Sequence, residues 1–148
     1  MTIAASVEAI LTADASLVTL LTGGIYTYQE TKRLGLNKTT VPAAYDANGF
    51  IKPCALVKQR SRVPTSAIKD AGTQTTSEAA VIEAFLYSDG NDTPPETAAN
   101  RVYVLLHDQI IAGGYMQLIN QIDDWRDETL DFANLIRLDF SWNGIRQP

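Results

Sequence analysis

Leu135-Ile136-Arg137-Leu138-Asp139-Phe140-Ser141-Trp142 sets Ile136, Leu138, Phe140 and Trp142 in alternation with Arg137, Asp139 and Ser141. Side chains two residues apart share a face of a strand, so this stretch predicts a strand with one face buried and the other wet, as in an antiparallel sheet. Upstream, residues 115–122 read as its hairpin partner, and Asp123-Asp124-Trp125-Arg126-Asp127-Glu128 as the polar turn between them.

Before that hairpin stands Thr93-Pro94-Pro95-Glu96. Thr93 suits an N-cap, Pro94 the first helical position, and Glu96 completes a capping box. The spacing predicts a long helix from there to Gly113-Gly114, with Ala99, Val102, Tyr103, Leu106 and Ile110 on its apolar stripe.

A second hairpin precedes the helix. Residues 54–63 read as a strand with Leu56, Lys58, Arg60 and Arg62 on one face and Ala55, Val57, Gln59 and Ser61 on the other. Residues 64–77, rich in Ser, Thr, Ala and Gly, read as a polar loop. Residues 79–87 form the return strand, apolar on both faces and therefore central in the sheet. Residues 29–53 are interrupted by Gly35, Asn37, Pro42, Asn48, Gly49 and Pro53, and predict a long excursion with little regular structure.

At the N-terminus, Ile3, Val7, Ile10 and Leu11 define one short helix. Asp14 caps a second carrying Leu17, Leu20 and Leu21, and Gly23-Gly24 turns the chain into a short strand at residues 25–28. The order is that of an α+β domain spanning residues 1–148. It is a mainly antiparallel sheet of two hairpins, with a long helix and a short N-terminal helical pair packed on it.

With 45% hydrophobic and 20% charged residues, a chain of 148 residues can bury one core. Its net charge of −5 disfavours a dedicated nucleic-acid-binding domain. A lone cysteine permits no internal disulfide, and neither a signal peptide nor a membrane span is legible, so a reducing cytosol is the expected setting.

Chemistry is hard to find. His107, the only histidine, sits beside Asp108 without the ligands of a zinc site. Cys54 follows Pro53 at a strand start, where a buried thiol is expected rather than a nucleophile. The acids Asp123, Asp124, Asp127, Glu128 and Asp131 lack calcium-loop spacing and read as a solvated turn that could dock a partner. Lys58, Arg60 and Arg62 read as a cationic strip facing solvent or an acidic partner. No phosphate loop or nucleophile elbow occurs. No enzyme activity, cofactor or metal is expected. The six residues carried forward are interface candidates: Lys58, Arg60, Arg62, Asp123, Asp124 and Asp127.

Three stretches carry a resemblance: Val7-Glu8-Ala9-Ile10-Leu11, Ala13-Asp14-Ala15-Ser16-Leu17-Val18-Thr19-Leu20-Leu21, and Gly23-Gly24-Ile25-Tyr26. With the acidic, tryptophan-containing turn and the final alternating strand, they resemble the tail terminator (tail-completion) proteins of long-tailed bacteriophages. The resemblance implies a structural virion protein of the tail or neck, assembled in the host cytoplasm. It would form a hexameric ring that caps the tail tube, stops its polymerisation and meets a head–tail connector or stopper protein. DNA could pass through such a ring without sequence-specific binding. A head-closure or neck connector subunit, and a small ligand-binding or enzymatic α+β domain, are the alternatives.

Overall fold

The computed structural model describes residues 2–60, 62–70 and 73–146. The chain opens with α1 (Ile3–Ala13) and α2 (Ala15–Leu20). The Thr2 hydroxyl accepts from the Ala5 amide and the Asp14 carboxylate from the Leu17 amide at 2.8 Å, so each helix start has a short polar cap. Ile3, Val7, Leu11, Leu17 and Leu21 are buried. Leu20, expected among them, is exposed where α2 ends. Gly24 then turns the chain at φ +100°, a conformation that strains any side chain, into β1 (Ile25–Thr27).

The excursion has little regular structure, as its punctuation predicts, beyond a 3-10 turn at Pro42–Ala44 and a bridge between Tyr45 and Ile51. Side chains organise it locally. Asn37 accepts from the Thr39 and Thr40 amides, and Asp46 from those of Asn48 and Phe50.

Next come β2 (Cys54–Gln59), β3 (Val63–Asp70) and β4 (Thr73–Ser88). β2 and β3 lie end to end along one edge of β4, Gln59 opposite Ile82 and Val63 opposite Ala79. Between these two pairs β4 has two residues where the outer side of the hairpin has three, and with one residue extra the long outer strand is divided into β2 and β3. This corrects the sequence reading twice. The expected strand at 54–63 stops at Gln59, and the expected loop at 64–77 is largely a two-stranded arm. Ser61, Ala71 and Gly72 lie outside the described residues.

After β4 the chain forms α3 (Glu96–Leu106), β5 (Gln109–Ile111), β6 (Gly114–Asp127) and β7 (Ala133–Arg146). The capping box is absent. Pro95 occupies the N-cap without a side-chain bond, and Thr93 stays outside, its carbonyl accepting from Ser88 Oγ. Nor does the helix reach Gly113-Gly114. His107 is extended, Asp108 turns at φ 58°, and the Asp108 amide donates to Met116 O at 2.9 Å. Ala99, Val102 and Leu106 are buried as expected, whereas Tyr103 is exposed and Ile110, now on β5, is 81% exposed.

The expected turn at 123–128 is also displaced. β6 continues to Asp127 through two irregularities, the second bringing Asp124 to φ 55°. The reversal lies at Glu128–Leu130 and the two residues that follow.

Among the described residues the strands make one seven-stranded sheet in the order β1-β2-β4-β7-β6-β5, with β3 also on β4 and only the β1–β2 pairing parallel. One face carries Ala55, Val57, Ile82, Leu86, Leu138 and Phe140 against all three helices. The excursion covers one end of the other face, where Leu36, Val41, Ala44 and Ile51 pack on Cys54, Leu56, Tyr87 and Leu135.

Candidate assembly interface

The extra residue at 60–62 decides where the three candidate cations go. Lys58, on β2, places its ammonium 4.8 Å from the Tyr28 ring centroid. Arg60 follows on the same face, its Nε 2.6 Å from Glu83 Oε1. Arg62 is carried to the other face, where it pairs with Glu78 and lies 5.0 Å from the Trp142 ring centroid. The expected single strip therefore does not form, and two of its members already hold a carboxylate.

Glu83 belongs to a larger ionic belt across the sheet face that the helices leave uncovered. Arg137 Nη1 stands 4.0 Å from Glu83 and its Nε 3.0 Å from Asp139 Oδ1, while Asn120 donates to the other Asp139 oxygen at 3.4 Å. The Arg137 guanidinium also lies between the rings of Phe85 and Trp125, at 6.0 and 5.7 Å. Glu83 and Asp139 are buried, so these cations offset much of the cost of desolvating them.

On the opposite face Trp142 closes the core near the arm. Its indole Nε1–H donates to Ile111 O at 2.8 Å. A Cβ on Gly114 or Gly144 would come within 2.1 or 2.3 Å of the ring, so glycine is required at both positions for the indole to lie there.

The candidate acids sit at the far end of the sheet from the arm. Asp123 and Asp124 are exposed. Asp127 accepts from the Thr129 amide and hydroxyl at 2.9 and 2.7 Å and so begins the 3-10 turn. Acids and cations are thus not brought together within one chain.

Sequence reasoning missed a groove at that same end. The turn after β6 holds two consecutive non-glycine residues in the left-handed region, Asp131 at φ 54° and Phe132 at φ 57°. Arg126 Nη1 fixes it by donating to Gly90 O at 2.9 Å and Phe132 O at 3.3 Å. Phe132 is left 56% exposed beside two adjoining cavities of about 400 and 350 Å³, which share Lys38, Gly49, Phe50, Asp89 and Asp131. Phe50 and Leu34, 53% and 67% exposed, complete the apolar lining. Asp131 tolerates the left-handed region, but Phe132 gave no hint of it, because a bulky aromatic residue rarely marks such a turn.

Cys54 and His107 stand apart from the groove and the belt. Burial pushes the Cys54 thiol up to about 12, which removes the thiolate a nucleophile needs. His107 Nδ1 accepts from the Leu118 amide at 3.0 Å, and its ring stacks on Tyr103 with centroids 4.7 Å apart. It thereby ties the end of α3 to the outer edge of β6. Among the described residues no group of three or more potential ligands could hold a metal ion, and no helix is long and apolar enough to cross a membrane.

No protein-family profile and no curated protein matches the sequence. Among solved structures, the chain resembles one from a particle described as the virion of a native gene transfer agent (GTA). The match has 19% identity and a TM-score of 0.54, and covers 94% of this chain and 91% of that one. The likeness is one of fold, and it runs through nearly the whole of both chains.

Proposed function

We propose that this chain is a structural subunit of a phage-like virion. In its specific form, it is a tail terminator whose ring caps the tail tube, stops tube polymerisation and joins the tail to a head connector or stopper protein. The observation that carries the proposal is the fold shared, end to end, with a chain of a gene transfer agent virion. The resemblance of the opening and closing segments to tail terminators supplies the specific role and the expected hexamer. The particle's tail or neck is then its place, and the tail tube protein its first partner.

Physical features support an assembly role. The candidate cations lie at the middle of the sheet and the candidate acids at one end, and unlike patches that meet head to tail generate a ring when the subunit rotation closes. Arg60 keeps 53% of its side chain exposed despite its pairing, and Asp123 and Asp124 are open to solvent. Lys58 and Arg60 of one copy facing Asp123, Asp124 and Asp127 of the next is the contact proposed for these candidates, with Arg62, on the other face, outside it.

The test is twofold. Light scattering over a wide concentration range should reveal self-association, with rings visible by electron microscopy on tail tubes. Particles made without the gene should carry tubes of unregulated length. A strictly monomeric protein, together with normal tails in its absence, overturns the proposal. Tails of normal length that fail to join heads would instead favour a head-closure subunit.

A further inference from the structure

A cavity of about 410 Å³ lies where the start of α1, the turn after β1 and the last residues of β2 come together. Arg33 and Lys58 line it with Thr2, Thr27, Tyr28 and Gln59, and no acid does. Neither cation belongs to an ion pair among the described residues. Glu30, next in sequence to the lining, turns a carboxylate oxygen to the Thr27 amide at 2.8 Å.

The backbone leaves a rung open at the same place. The Arg60 amide donates to Val81 O, on the β4 side of β2, whereas Ala55 donates to Gly24 O and Val57 O accepts from the Tyr28 amide on the β1 side. Successive residues of an antiparallel ladder turn their groups to opposite edges, so residues 55, 57 and 59 all face outward. The chain around β1 answers the first two. It does not answer Gln59, because Tyr28 O accepts from the Arg33 amide at 2.9 Å and Thr31 Oγ1 at 3.0 Å instead. The Gln59 side chain repeats the pattern, its Oε1 buried without a hydrogen-bond partner. Cations beside an open rung suit an extended peptide segment that carries carboxylates.

We infer that the cavity receives the segment around Asp123-Asp124 of a second copy of this chain. The inference rests on the ring reading above and supplies its receiving site. Charge and backbone select that segment together. Asp14, Glu78, Glu83 and Asp139 already hold arginines, and Asp46, Asp89 and Asp127 accept from turn amides. Asp123 and Asp124 are exposed and adjoining, and Asp123 takes one neutral donor, the Gln121 side chain at 2.8 Å. They also lie on a free strand edge, since β5 covers β6 only from Gly114 to Met116 among the described residues.

Position agrees. β4 and β7 stand between β2 and β6, about 14 Å in three strand spacings, so cavity and acids lie at opposite edges of the sheet and a chain cannot fill its own cavity. Lys58, Glu83, Asp139 and Asn120 form one row across those strands. Asp123 is three residues beyond that row, about 10 Å, so edge-to-edge contact between copies needs only a modest shift along the strands. Unlike edges of one sheet meeting in this way make a head-to-tail contact.

Charge reversal tests the contact from both sides. Arg33→Asp places an acid in the cavity with a residue that tolerates the left-handed φ of 62° found there. Lys58→Glu replaces it if that chain fails to fold. Asp123→Lys changes the incoming segment. Sedimentation velocity across concentration should show each single variant associating at least about tenfold more weakly than the wild type, a difference of about 1.4 kcal/mol, with thermal melts unchanged. The double variant Arg33→Asp/Asp123→Lys should recover association, because every copy then offers a lysine to an acidic cavity. Wild-type-like association by either folded single variant overturns the contact and leaves the ring reading standing, as does a double variant no stronger than its parents. Normal self-association by Arg33→Asp with loss of docking to tail tubes would assign the cavity to a different protein and equally overturn it. A wild type that is monomeric at every concentration overturns this contact, and normal tails in the absence of the gene would overturn the ring reading with it.

Discussion

On the helix side of the sheet, Ile82, Leu86, Leu138, Phe140 and Trp142 meet apolar partners from α1, α2 and α3, and little of that surface reaches water. On the other side the same two central strands present three zones in sequence. The excursion buries Tyr87 and Leu135, the belt of Arg60, Glu83, Arg137 and Asp139 follows, and beyond it the row Ile110, Tyr115, Asn143, Ala79 and Val63 runs across five strands with no element above it among the described residues. Equal strand length therefore does not mean equal use. One face carries the stability of the domain, and the other grades from core to open surface along its length.

Substitutions should separate the faces by size of effect. Trp142→Ala should cost most, about 3–5 kcal/mol in chemical denaturation, since it empties a fully buried site bounded by glycine backbone. A loss below about 1 kcal/mol would mean that the core does not depend on this closure. Arg137→Met, on the belt, should cost about 2 kcal/mol. It leaves Asp139 without its nearest cation, while the half-exposed Arg60 still serves Glu83 and solvent screens the rest. Salt should reduce that difference, and an effect independent of ionic strength would count against a charge-based belt.

A smaller effect is expected where the helical pair joins α3. Arg101 donates to both Asp14 oxygens, and this pairing, with the Leu17 amide, holds the Asp14 carboxyl below its ordinary value. The unfolded chain takes up that proton first. The stabilisation is therefore full above about pH 4 and is lost as pH falls through the lower folded value. Asp14→Asn keeps a capping oxygen and removes the charge, so its stability should vary less across that acid range than the wild type's. Parallel curves would sink the assignment. Ile110→Ser should change stability least, within about 0.5 kcal/mol, because the side chain is already in water. A large loss in the isolated subunit would show that the bare row belongs to the core after all.

Much of this was legible where one period governed a whole segment. The alternation at residues 135–142, the apolar spacing of α1 and the Asp14 cap all appear where the residues put them. The strand pairing along residues 64–77 escaped notice because the Ser, Thr, Ala and Gly there show no alternation of apolar and polar residues. Thr73, Thr75 and Thr76 are nevertheless β-branched and suit a strand. The end of α3 was misread because Gly113-Gly114 looked like a helix stop, whereas Asp108 makes the turn and His107 serves the next strand. In β6 the acids at 123–127 broke the alternation, and a bulge inside a strand looks like a turn when only the period is followed. The candidate cations were found, but not their division between two faces, which depends on one residue of register. The groove was beyond reach because it joins the excursion, the segment after β4 and the turn after β6, distant in sequence and lacking any common motif.

The break at residues 60–62 interrupts one side of the long hairpin, while β4 passes through arm and body without interruption. A tug on the arm along the strand direction would therefore be carried by β4, whose bonds to β7 extend from Thr76 to Ser88 and would be loaded side by side rather than unzipped one after another. The outer strand, divided at its bulge, could bend without passing the same load onward. The hairpin would thus be stiff to pulling and compliant to sideways deflection, a useful mechanical pairing for a strap that must hold under tension yet settle onto an imperfectly placed neighbour.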